Sequence, residues 1–130
     1  MISIETTLFN IVKDAVKSIC PNYGTVEQAT PSSFPYMLFV QKDNPSYKGT
    51  QDSDSKENHV QPMIQIDIFS NKNMYECKTI IAKADDEMQK YGFERIFGAQ
   101  PITTGSTYYR ITARYQGIVQ KNALDDFTVI

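Results

Sequence analysis

Few side chains in this sequence are of types that perform chemistry, and their spacing keeps them apart. The single histidine, His59, closes a polar stretch. Acid–base catalysis needs a group that titrates near neutral pH held against a partner, and one solvated imidazole does not supply that pair. Cys20 and Cys77 are the only cysteines. With His59 they occupy three separate segments, short of the roughly four ligands at characteristic spacing that zinc requires. Both sit in or beside apolar helical stripes, as small buried residues do. Asp85-Asp86-Glu87 is the densest acidic cluster. Consecutive helical residues point about 100° apart, so these three read as a solvated helix face rather than a metal cage. Asp52 and Asp54 look like the start of a calcium loop, without its glycine or its distal bidentate glutamate. The six glycines are scattered and make no phosphate cradle.

Arg110 and Arg114, beside Tyr108 and Tyr109, are the one basic and aromatic grouping suited to stacking bases. Tyr109 and Tyr115 share the apolar parity of their strand, however, and are expected to face inward. The chain carries 13 Lys+Arg against 15 Asp+Glu, a formal charge of −2, and its pI is near 5.3. That balance lacks the basic footprint of phosphate neutralisation. The expectation is therefore no catalytic residue, no metal, no cofactor and no direct grip on nucleic acid.

The elements that must position these residues fit one domain. A chain of 130 residues, 41% hydrophobic and 22% charged, is of globular composition. The longest apolar run, Tyr36-Met37-Leu38-Phe39-Val40, is far short of the roughly 18 residues of a membrane helix. Met1-Ile2-Ser3-Ile4-Glu5 has no basic region before an apolar run, so no secretory leader is expected and both cysteines are expected reduced.

Residues 4–19 place Ile4, Leu8, Ile11, Val12, Ala15 and Ile19 on one stripe, which predicts an amphipathic helix from an N-cap at Ser3 to a stop at Pro21. After a weak extended stretch over 23–29, residues 36–42 predict a strand apolar at both parities. Residues 43–59 hold one apolar residue, Tyr47, and six charges, which predicts a long polar loop. Alternating Ile64, Ile66 and Ile68 predict a strand over 60–70. Asn73, with Glu76 three residues on, starts a second helix along Met74, Cys77, Ile81, Ala84, Met88 and Tyr91, which Gly92 ends. Strands are predicted over 93–102 and 107–119. The last eleven residues, 120–130, are too apolar for a solvated tail and are expected to dock on this subunit or a neighbour.

The predicted class is α+β, two helices on one face of a four- to five-stranded, mostly antiparallel sheet. It comprises one domain over 1–119, with a loop at 43–59 and an extension at 120–130. Met37, Phe39, Met63 and Phe69 are expected on the uncovered sheet face, where contiguous apolar area marks an interface. Tyr47, Lys48 and Lys56 of the loop, with Arg110 and Arg114, complete the predicted contact residues.

The order of these elements, with Ile64-Gln65-Ile66-Asp67-Ile68-Phe69 leading into a helix and a closing Tyr109-Arg110-Ile111-Thr112-Ala113-Arg114-Tyr115-Gln116-Gly117-Ile118-Val119, resembles the tail terminator (tail completion) proteins of long-tailed bacteriophages. The likeness runs over about 4–119. It implies a structural subunit of the virion, assembled in the host cytoplasm, that forms a six-membered ring on the end of the tail tube. Such a ring would stop polymerisation of the major tail tube protein and offer the docking surface for the head–tail connector protein. DNA would pass through it without specific binding, and the loop at 43–59 would reach toward the lumen or the tube. The family has no catalytic residues to carry over. A neck connector or stopper and a non-phage α+β binding module are the alternative readings.

Overall fold

A computed structural model of the chain describes residues 5–25, 31, 33–43, 59–102, 108–121 and 127–129. Helix α1 spans Glu5–Val16. Leu8, Val12 and Val16, four residues apart, are fully buried, and Cys20 continues their line one turn further. The amides of Ile19 and Cys20 both donate to the Val16 carbonyl, at 2.9 and 2.8 Å, so the chain has turned off the helix before it reaches Pro21, which has no N–H to continue one.

The remaining elements follow in chain order: β1 (Asn22–Gly24), β2 (Tyr36–Asp43), β3 (His59–Val60), β4 (Met63–Ser70), α2 (Met74–Lys90), β5 (Glu94–Ile102), β6 (Tyr109–Gln116), β7 (Val119–Lys121) and β8 (Phe127–Val129). Five strands form a sheet in the order β1-β2-β4-β6-β5. Its β1–β2 pair is parallel and the other three are antiparallel. Both helices pack against one face of this sheet, the α+β arrangement expected.

Helix α2 is capped at both ends as its sequence suggests. The Asn73 side chain accepts the Glu76 amide at 2.8 Å, and Gly92 follows the last turn at φ 88, a conformation that glycine adopts without strain. The Glu76 carboxylate does not fold back onto the Asn73 amide. It accepts the Ser70 hydroxyl at 2.6 Å, and Ser70 Oγ in turn accepts the amides of Lys72 and Asn73. The turn from β4 into α2 is thereby tied at three points.

Two strands expected to be continuous are broken. Gln61 and Pro62 separate β3 from β4, and Gly117 and Ile118 separate β6 from β7. The short pieces form a second antiparallel sheet, β3-β7-β8. The end of the chain thus returns onto its own strand β7.

The register of β2 corrects one expectation. Met37 pairs with Ile68 and Phe39 with Ile66, and directly paired residues share a face. Met37 and Phe39 therefore point toward the helices and are fully buried, not on the opposite face with Met63 and Phe69. Tyr36, Leu38 and Val40 lie there instead. The contacts predicted at Tyr47, Lys48 and Lys56, and the cap predicted at Ser3, fall outside the described residues.

Candidate functional site

The sheet face away from the helices is where the predicted residues that remain come together. Three cross-strand rows cross it: Val40–Gln65–Arg114–Phe97, Leu38–Asp67–Thr112–Gln100 and Tyr36–Phe69–Arg110–Ile102. The polar parity of β4 and β6 thus forms a layer across the middle of the sheet. Asp67 is 1% exposed, and its Oδ1 accepts Arg110 Nε and Nη2 at 3.3 and 3.2 Å. Its Oδ2 accepts Gln65 Nε2 at 2.8 Å. Gln65 Oε1 then accepts Arg114 Nε at 3.0 Å. One hydrogen-bonded relay, Arg114–Gln65–Asp67–Arg110, so fixes two guanidinium groups.

Each guanidinium also lies over a ring. Arg110 sits 5.4 Å from the Phe69 centroid and Arg114 5.4 Å from that of Phe97, within cation–π range. Phe69 is on this face as expected, but it is buried rather than open. Tyr108 and Tyr36 pack on it at 5.8 and 6.3 Å, and Phe34 packs on Tyr108. Besides Tyr109 on β6 and Tyr75 and Tyr91 at the ends of α2, the exposed apolar residues lie at the sheet edges. Ile96 and Phe97 on β5 are 46% and 36% exposed, and Tyr23 on β1, at the opposite edge, is 36% exposed. Met63 is half-buried at the start of β4.

On the helix side, Asp85 is not part of a solvated acidic face. Its Oδ1 accepts the Tyr115 hydroxyl at 2.8 Å and Arg95 Nη1 at 3.4 Å, and its Oδ2 accepts Gln89 Nε2 at 2.6 Å. Burial, followed by the Asp85 hydrogen bond, pushes the Tyr115 phenol well above its usual range. The two thiols are also held protonated. Burial raises Cys20 to about 12 and Cys77 to about 11, and each donates to backbone carbonyls. Neither is a thiolate available for nucleophilic attack at neutral pH.

Among the described residues no group of three His, Cys, Asp or Glu side chains could hold a metal ion, and no helix is long and apolar enough to cross a membrane. A groove between the end of α1 and the start of α2 is lined by Ile19, Tyr75 and Ile80, with Glu76 at its wall. The Glu76 carboxylate is committed to the Ser70 hydroxyl. On the opposite face the Asp67 carboxylate is likewise committed, to Arg110 and Gln65, which leaves it unsuited to act as a general base. What this face offers is oriented donors and flat rings, which suit recognition. Comparison with known proteins adds no relative: no protein-family model matches the chain, and no curated protein matches it.

Sequence reasoning picked out Arg110, Arg114 and Phe69 but missed Gln65, Asp67, Phe97, Asp85 and Tyr115 as partners. The alternation of Gln65 and Asp67 within a run of isoleucines was the readable signal for a polar layer on the second face.

Proposed function

We propose that this chain is a tail terminator, a structural subunit that closes the growing end of a phage tail tube as a ring and presents the surface on which the head docks. A closed ring is built head to tail, so each subunit must carry two different contact patches. The observation that carries the reading is the pair of exposed apolar edges on one sheet, Ile96 and Phe97 on β5 at one side and Tyr23 on β1 at the other. With helices covering one face and a polar layer crossing the other, these edges offer apolar surface to a neighbour, alongside the exposed rings of Tyr109 on β6 and of Tyr75 and Tyr91 at the two ends of α2. The acidic balance of the chain suits a ring through which DNA passes without being gripped.

The test mixes purified chain with polymerising tail tube protein and measures tube length by electron microscopy. Tubes of bounded length, ended by a ring of this chain, are expected. Tubes that grow without limit at excess chain would overturn the reading. Heads joined directly through this chain, with tube length unaffected, would favour a neck connector instead.

A further inference from the structure

Strand β5 is an open edge. It pairs with β6 on one side and, among the described residues, with no strand on the other. One row of its amides and carbonyls therefore faces outward, a template for a further strand. Every residue of 94–98 is exposed. Native edges are guarded by prolines and outward charges. Pro101 guards the far half of β5, but the one cation in 94–98, Arg95, is turned back onto Asp85 of its own chain at 3.4 Å. The opposite edge, β1, is short and held in place. Asn22 Nδ2 donates to the Pro35 carbonyl at 3.1 Å, and Cys20 Sγ donates to the Asn22 carbonyl. Strand directions relate the two edges. β1 runs parallel to β2, and three antiparallel steps through β4 and β6 leave β5 running opposite to β1. A neighbour that continues the sheet head to tail brings its β1 antiparallel to β5, the more stable pairing, and keeps its helices on the same side.

We propose that β5 takes β1 of a second copy of this chain by antiparallel strand addition, with Lys13 of that copy facing Asp86 across the seam. The proposal deepens the ring contact described above and rests on that head-to-tail reading. Charge selects which edge is accepted. Lys13 of α1 lies over Tyr23 of β1, 5.6 Å from the ring centroid. Asp86 of α2 and Arg95 of β5 line one groove, and Glu94 is exposed on β5 itself. Asp85 and Arg95 neutralise each other, and Lys90, one turn beyond Asp86, lies over its own Tyr91. Lys13, Asp86 and Glu94 make no ion pair among the described residues. The unpaired charge beside β5 is thus acidic and that beside β1 is basic. Pairing β5 with β5 about a two-fold axis would set acid beside acid, which complementary interfaces avoid. Main-chain hydrogen bonds supply the pairing, and the repeat closes as a ring once every β5 holds a β1.

The test mixes an Ile96→Cys variant of the full chain with a Thr25→Cys variant and adds a short bismaleimide linker. Thr25 directly follows β1 and is half-buried. Cys20 and Cys77 are fully buried, so only the introduced thiols react. Cross-links between the two variants are expected, and a chain carrying both substitutions should give a ladder of higher oligomers. Hydrogen exchange at 94–98 and at 22–24 should slow together at concentrations where the ladder forms. Lys13→Glu should cut the cross-linked yield about fivefold, the scale of one exposed ion pair, and adding Asp86→Lys to the same chain should restore it. No cross-link between the variants, or Ile96→Cys linking mainly to itself, would overturn the strand pairing. Cross-links without slowed exchange would overturn the main-chain contact, and a charge swap that restores nothing would overturn the Lys13–Asp86 facing. Tail tubes of bounded length without these cross-links would remove the strand pairing and leave the tail reading. The same cross-links in a chain that leaves tubes unlimited would keep the strand pairing and remove that reading.

Discussion

The Tyr115 hydroxyl, on the helix side of β6, donates to Asp85 Oδ1 of α2 at 2.8 Å, and the ring that carries it is fully buried. Arg95 of β5 reaches the same oxygen at 3.4 Å. Three elements therefore meet at one carboxylate, which sets how far along the sheet α2 lies. Tyr115→Phe keeps the ring and removes the donor, so its cost isolates the hydrogen bond. A loss of about 1–3 kcal/mol is expected, since the acceptor is charged and half-buried. The check is a lower urea midpoint with an unchanged slope.

Stability is expected to fall on the alkaline side. Tyr115, Cys20 and Cys77 all have their proton held more tightly in the folded chain than in the unfolded one. Above the ordinary thiol value of 9.0 the unfolded chain gives up protons that the fold retains. It then binds fewer protons than the native state, and unfolding free energy declines as pH rises. The decline should begin near pH 9 and continue toward about 12, where Cys20 titrates in the fold. Each unit of difference is worth about 1.4 kcal/mol. Cys20→Ala should flatten the slope of melting temperature against pH between those limits, and an unchanged slope would contradict the assignment.

The helices were legible because their information is local. A stripe at intervals of three and four, an asparagine cap and a closing glycine all lie within the segments they shape. The facing of β2 was not. Tyr36, Leu38 and Val40 are as apolar as Met37 and Phe39, so alternation alone assigns neither set inward. The choice is made by register against Ile66 and Ile68, residues more than twenty positions away. The same distance hid the chemistry of the layers. Asp67 and Arg110 are 43 positions apart, and Tyr115 and Asp85 are 30 apart. Pro62 and Gly117 each sit at the breaks that divide the longer predicted strands, a signal present in the sequence and underweighted against strong alternation.

Asp67→Ala should destabilise the chain more than its size suggests. It removes the counter-ion of Arg110 and the acceptor of Gln65 Nε2 together. Breaking a buried pair on one side costs about 3–5 kcal/mol. Arg110 is 34% exposed and can reach water, which lowers the expectation to about 2–3 kcal/mol. Replacing both partners, Asp67→Leu with Arg110→Met, should recover at least half of that loss, because apolar residues of similar volume often match such a pair. Equilibrium unfolding of the two single variants and the double variant measures the coupling directly. If the double variant is no more stable than either single one, the pair is not the source of the cost.

The position of the apolar residues separates folding from assembly. Met37 and Phe39 are fully buried against the helices, so Phe39→Ala should cost about 3–5 kcal/mol and Met37→Ala about 2–5 kcal/mol. Ile96 is exposed at the β5 edge, and a surface change there should shift stability by no more than about 0.5 kcal/mol. Its effect is expected in assembly instead. Ile96→Ser should leave the melting temperature in place yet reduce the ring-sized mass seen by light scattering with tail tube protein and loosen the limit on tube length, whereas Phe97→Ser also removes the ring beneath Arg114 and is expected to cost stability. An edge variant that caps tubes as well as the parent chain would remove β5 from the contact, and with it the two-edged basis for a head-to-tail ring.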